Sequence, residues 1–244
     1  MLKVMETIPA EMGEAIAIAE PLRTIAEDII RNGTVYCIRH CLREDAIDSM
    51  RQRIIEYYRA VPQVKISYDG PASAQNYHSL EKGVSPLQKS LHYFHAYVFN
   101  AIDELPAELV QVKALFASLA GLYNALTAQR RPLSGAHEDG KRFRPQVFQY
   151  PAGGGMFAAH KHALEPQKIG LILGFSKRGR DFMEGGAGFE APDGTIIDTG
   201  GVQDIGDIVL FRYDMKHWVS PCDIHSKLDD AKSNGRWSAV LPIY

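Results

Sequence analysis

From Arg142 onward the chain divides into eight short stretches rich in β-branched and aromatic residues: 145–150, 160–164, 169–175, 188–190, 195–197, 208–211, 218–220 and 237–241. Gly, Pro and Asp turns separate them. Many short strands at close spacing bury their apolar faces by rolling into two facing sheets, so the pattern predicts a jelly roll. Residues 1–141 have a different texture. They read as mainly helical, with a helix over 11–31 closed by Gly33, a short strand over 34–39, and a helix over 44–59 carrying Ile47, Met50, Ile54 and Tyr58 on one stripe.

Further helices are expected from Ser85 and over 107–129. Ser85-Pro86-Leu87-Gln88 has the form of a capping box, and Leu87, Leu91, Phe94, Val98 and Ile102 follow at helical spacing. In the second, Leu109, Val112, Phe116, Leu119, Tyr123 and Leu126 mark the buried face. The stretch 64–82 between helices is rich in turn residues and reads as a loop, placed to act as a lid in which Tyr68, Tyr77 and His78 could touch a substrate. With 244 residues and 45% apolar content, the chain is expected to form a single domain, mainly β with α: N-terminal helices and lid over 1–141 flank the jelly-roll core over 142–244.

Chemistry concentrates in Tyr150-Pro-Ala-Gly-Gly-Gly-Met-Phe-Ala-Ala-His160-Lys161-His162. On a strand, alternate side chains share a face, so His160 and His162 project together while Lys161 points away. Two neutral imidazoles side by side suit a divalent first-row metal. His217 stands at the start of a later strand, and three such rings would leave the far side of a metal open to reactants. Near the end, Arg236 and Ser238 have strand parity, which sets a guanidinium beside a hydroxyl as a carboxylate clamp. Gly153 to Gly155 form no nucleotide loop, because no strand-to-helix pattern surrounds them and no Gly-Lys-Ser/Thr follows. The basic loop with Lys177, Arg178 and Arg180 is a candidate contact for an acidic substrate group.

In their order and separation these residues resemble the iron(II)/2-oxoglutarate-dependent dioxygenase superfamily, whose double-stranded β-helix carries a His-x-Asp/Glu pair, a distal His and an Arg-x-Ser. The likeness covers roughly residues 143–244, and His160 and His217 are 57 residues apart, as in the family. It implies iron(II) at His160 and His217, and 2-oxoglutarate as cosubstrate at Arg236, Ser238 and Tyr150. It also implies oxygen-dependent hydroxylation, desaturation or cyclisation of a small organic molecule. Two features depart from the family. His162 occupies the carboxylate position, so the ligand set reads as three histidines, with Glu165 or Asp214 as alternative sources of a carboxylate. A neutral ligand there leaves about one more unit of positive charge on the metal centre. The 19-residue separation of His217 from Arg236 is longer than usual, and 222–234 reads as a surface insertion.

Two other readings use the same residues. A cupin-like dioxygenase also gathers three histidines but needs no keto acid and leaves Arg236 unexplained. A non-catalytic relative would bind metal or a small molecule without turning it over. The net charge of −2 and the lack of a basic patch argue against nucleic acid, and no apolar run reaches the roughly 18 residues that would span a membrane. Three cysteines, Cys37, Cys41 and Cys222, fit a reduced, cytoplasmic setting, and export is not expected because Met1 to Pro9 show no basic start followed by an apolar run.

Overall fold

The fold is described from a computed structural model, which covers residues 1–7, 16, 18, 21–61, 76–84, 91–133, 135, 137–228 and 233–244. In chain order the elements are β1 (Leu2–Glu6), α1 (Leu22–Asn32), β2 (Val35–Arg39), α2 (Glu44–Arg59), β3 (Tyr77–Val84) and β4 (Leu91–Val98). A 3₁₀ turn (Ala107–Leu109) then leads into α3 (Val110–Thr127). The remainder is β5 (Gln146–Pro151), β6 (Gly155–His160), β7 (Ile169–Gly174), β8 (Ala187–Glu190), β9 (Ile196–Asp198), β10 (Ile208–Arg212), β11 (Lys216–Cys222) and β12 (Gly235–Val240).

The twelve strands among the described residues join one hydrogen-bonded network in the order β1-β2-β10-β7-β12-β5-β4-β6-β11-β8-β9, with β3 added beside β4. Every pairing is antiparallel except β1 with β2. The network curls into the expected jelly roll. The eight stretches anticipated after residue 142 all have a strand counterpart, although 160–164 is displaced: β6 ends at His160, and His162 lies beyond it.

The N-terminal part departs further from expectation. It supplies four strands, and the helix anticipated through Leu91, Phe94 and Val98 is strand β4. Seven of the eight β4 residues are buried, so the strand is enclosed on both faces. A strand covered on both sides loses its period-two polarity, and its unbroken apolar run then satisfies helical spacing by accident. The capping-box residues 85–88 lie outside the described residues. The loop expected over 64–82 is also overturned where it is described, since Tyr77–Val84 forms β3 and pairs along its whole length with β4. Residues 62–75 lie outside the described residues, as does most of the helix anticipated before Leu22.

Three helices cover one outer face of the roll. α1 ends as expected at Gly33, whose φ of 64° lets its N–H reach Ile29 O. The stripe Ile47, Met50, Ile54 and Tyr58 of α2 is buried, as is Val112, Leu115, Phe116, Leu119 and Tyr123 of α3. Helix and strand side chains, among them Tyr97, Val147, Leu173, Leu210 and Trp237, form the main core. Among the described residues, Ala107–Thr127 is the one helical stretch long and apolar enough to cross a membrane, and half of it is buried against the sheet.

Charged side chains fasten α2 to the β7–β8 connection. Asp181 accepts hydrogen bonds from Arg51 (2.8 Å), Arg180 (2.9 Å) and the Lys177 backbone N–H (2.8 Å), while Arg180 also reaches Glu44 and Asp48 at 2.7 Å. Burial raises the Asp181 pKa, but these donors outweigh it and hold the carboxyl well below its ordinary range. A depressed pKa stabilises the fold fully above the unfolded value near 4 and loses effect as pH falls below it. Asp181→Asn is therefore expected to cost about 2 kcal/mol at pH 7 and clearly less at pH 3 in urea denaturation.

Candidate metal and anion site

The roll encloses a cavity of about 170 Å³ whose lining alternates along each strand. On β5 the inward residues are Gln146, Phe148 and Tyr150, with Arg144 one step before; on β3 they are Tyr77, Ser79 and Glu81; on β12, Arg236, Ser238 and Val240. Cross-strand register arranges them in tiers. Glu81, Phe94, Tyr150 and Arg236 share one, and Ser79, Ala96, Phe148 and Ser238 the next. Tyr77, Val98, Gln146 and Val240 follow, and the pairing runs on as Arg144 donates its backbone N–H to Pro242 O at 2.9 Å.

His160, His162 and His217 meet on the cavity wall, their candidate ligand nitrogens all within 4.8 Å of one another. His160 on β6 pairs directly with His217 on β11, which sets their ring centroids 4.3 Å apart. His162 reaches the same point from beyond the strand, 4.9 Å from His160, rather than through the strand parity expected for it. Nδ1 of His160 lies 3.0 Å from Ala158 O, and Nδ1 of His217 lies 2.9 Å from Met215 O. A carbonyl only accepts, so each Nδ1 carries the proton and each Nε2 keeps its lone pair. This is the tautomer a metal requires.

The rings are further fixed by packing. Phe157 stacks on His160 at 4.1 Å and Tyr213 on His162 at 4.5 Å, while Phe211 lies 4.9 Å from His217. Phe211 occupies the space a Cβ at residue 170 would need, so Gly170 is required for this approach. Burial is the largest cause lowering the pKa of all three: His162 falls to about 4, His217 well below its ordinary value, and His160 in the same direction. All three are neutral at pH 7. Neither Glu165 nor Asp214 joins the cluster among the described residues; Glu165 is exposed beside Lys168 and Asp214 is paired with Arg212 at 2.7 Å.

Arg236 is 5% exposed and lies in the same cavity. Its Nη2 donates to Gln203 Oε1 at 3.1 Å, and Nη1 has no hydrogen-bond partner. The guanidinium sits 5.8 Å from the Tyr150 ring, and Tyr150 hydrogen-bonds Ser238. Burial pushes the Tyr150 hydroxyl up to about 12, partly offset by Arg236 and Ser238. Among the described residues no carboxylate forms an ion pair with Arg236. A desolvated guanidinium carries a penalty of several kcal/mol unless an anion meets it, so the cavity is built to receive one. The three neutral imidazoles and the unmatched cation fit a divalent metal with an anionic ligand beside it.

Other sequence candidates fall elsewhere. Tyr77 lines the cavity, whereas its neighbour His78 points to the opposite face, stacked on Tyr97 at 4.4 Å and 3.0 Å from His95 Nδ1. Arg178 binds the carbonyls of Met183 and Gly200, and Arg180 belongs to the α2 ion-pair group; neither reaches the cavity. Tyr68 lies outside the described residues. Sequence reading missed Gln203, which Nε2 contacts to Ile172 O and Asp207 O hold in place for Arg236. It also missed Arg144, Gln146 and Phe148, although their parity with Tyr150 was available. His217→Ala is expected to reduce cobalt(II) affinity about 100-fold by calorimetry, while Gly170→Ala, by displacing Phe211, should weaken it about tenfold.

No protein-family model and no curated protein sequence matches the chain. Solved structures do. A prolyl-4-hydroxylase of Pseudomonas putida superposes with a TM-score of 0.59 at 12% identity, covering 91% of this chain and 98% of its own. A Trichoplax adhaerens prolyl hydroxylase, solved with a hypoxia inducible factor peptide fragment, gives 0.55 at 12% identity, covering 90% and 89%. The non-heme alpha-ketoglutarate-dependent epimerase SnoN of nogalamycin biosynthesis gives 0.56 at 11% identity, covering 91% and 82%. At these identities the likeness establishes architecture, and this chain has the double-stranded β-helix fold of the 2-oxoglutarate and iron(II) oxygenases.

Proposed function

We propose that the protein is a non-heme iron(II)- and 2-oxoglutarate-dependent oxygenase that hydroxylates, desaturates or cyclises a small organic molecule. The observation that carries this reading is the coexistence, in one cavity, of three clustered imidazoles, two of them with Nδ1 engaged by a carbonyl and Nε2 left to a metal, and a buried guanidinium with an unmatched Nη1. His160, His162 and His217 would hold the metal. Arg236 and Ser238, with Tyr150 beside them, would grip the distal carboxylate of 2-oxoglutarate. Iron(II) supplies the redox chemistry that couples O₂ and keto-acid decarboxylation to oxidation of a C–H bond.

The chain's own part is positioning and shielding. The two Nδ1-to-carbonyl hydrogen bonds fix which nitrogen faces the metal, and Gln203 turns the guanidinium toward the cavity. Phe148, Phe157, Phe211 and Trp218 line the reacting space and exclude water. The fold neighbours named as prolyl hydroxylases and as an epimerase support the same class of chemistry. Three free, buried cysteines accord with a cytoplasmic setting.

A cupin-like dioxygenase without keto acid is the alternative favoured by the absence, among the described residues, of a carboxylate from the cluster, but it leaves Arg236 without a role. Succinate formation separates the two. With iron(II), 2-oxoglutarate and O₂, the wild type is expected to release succinate, and Arg236→Ala to lose it by about 100-fold or more. Oxygenase activity that survives Arg236→Ala without succinate would establish the cupin reading instead.

A further inference from the structure

The three histidines are not held alike. His160 and His217 lie on paired strands, and each has its Nδ1 engaged by a carbonyl two residues earlier. His162 stands beyond the end of β6, and its ring takes part in no hydrogen bond among the described residues. What orients it is the face of Tyr213, with centroids 4.5 Å apart and an interplanar angle of 10°. Tyr213 occupies the turn between β10 and β11, where its backbone N–H donates to Lys168 O at 2.9 Å and its side chain packs against the cluster containing Phe211 and Met215. The same turn supplies Met215 O to His217 Nδ1, so one turn orients two of the three rings by different means.

The two means fix different things. A hydrogen bond at Nδ1 settles both the tautomer and which edge of the ring meets the metal. A face-to-face stack settles only the plane of the ring, because a half-turn about Cβ–Cγ preserves the stack while exchanging Nε2 with Cε1. Stacking is also the weaker hold. Removing one aromatic contact changes an equilibrium constant by about two- to tenfold, whereas losing the hydrogen bond behind a metal-bound imidazole costs about 10- to 100-fold in metal affinity.

We infer that His160 and His217 are the anchoring pair of the metal site, that His162 is its weakly held third ligand, and that Tyr213 is a positioning residue acting through His162. The inference rests on the reading of the three histidines as a metal site. A ligand aimed by its face alone yields its position to an incoming group while the anchored pair keeps the ion. The position that departs from a carboxylate is thus also the one most easily exchanged.

The test measures cobalt(II) binding by calorimetry together with the visible ligand-field spectrum of the bound ion. His160→Ala, like His217→Ala, is expected to weaken binding about 100-fold, and His162→Ala by no more than about tenfold. Tyr213→Leu should weaken it about fivefold and give the spectrum of His162→Ala, while Tyr213→Phe, which keeps the ring, should stay within about twofold of wild type. In the His162→Ala background Tyr213→Leu should have no further effect, whereas a residue that merely supported the fold would weaken binding in both backgrounds. A loss in His162→Ala equal to that in His160→Ala, or a Tyr213→Leu effect undiminished without His162, overturns the inference. The comparison of the three alanine variants decides the ranking of the ligands even where Tyr213→Leu fails to fold. Failure of the wild type to bind cobalt(II) instead overturns the proposed function, and this inference with it.

Discussion

Strand β12 is the element on which the rest of the molecule depends, because its two-residue alternation joins the core to the cavity. It stands between β7 and β5 near the middle of the strand order, so it is hydrogen-bonded on both edges. Trp237 faces outward into the helix-covered core, stacked on Tyr97 at 5.3 Å, and its backbone N–H is bound by Ser176 Oγ at 2.7 Å. Arg236 and Ser238 face inward as a direct result. A shift of one residue would bury the indole in the cavity and drive the guanidinium into an apolar core, an exchange costing many kcal/mol. Register at β12 is therefore held by the same apolar packing that stabilises the fold.

How much of this could be read from the sequence depended on where polarity survived. The strands after residue 142 could be identified because turns break them up and because the cavity side carries polar residues such as Gln146, Arg236 and Ser238. Strand β4 could not be identified, because both of its faces are covered and its aromatic run has no alternation left to detect. Strand β3 was hidden for a different reason. Ser79, Glu81 and Lys82 look like loop chemistry until one knows that a neighbouring strand satisfies their backbone and that the cavity needs polar lining.

The site shows the same division. Spacing along the chain was enough to single out His160, His162 and His217, but not to show how they meet, since His162 arrives from outside the strand. Gln203 carried no signal, because its importance lies in a contact to a residue 33 positions away. The basic loop with Arg178 and Arg180 shows the reverse error. Its charges look available in sequence, yet backbone carbonyls and the α2 carboxylates already engage them.

One local feature has consequences for how such a protein can diverge. The rings of His160 and His217 are each oriented by a carbonyl only two residues earlier in the chain, so the instruction that aims each nitrogen fits within three consecutive residues. Distant replacements in the cavity wall leave that instruction intact. A lineage built this way can exchange its wall residues, and with them its choice of reactant, while its metal-facing atoms stay where they are.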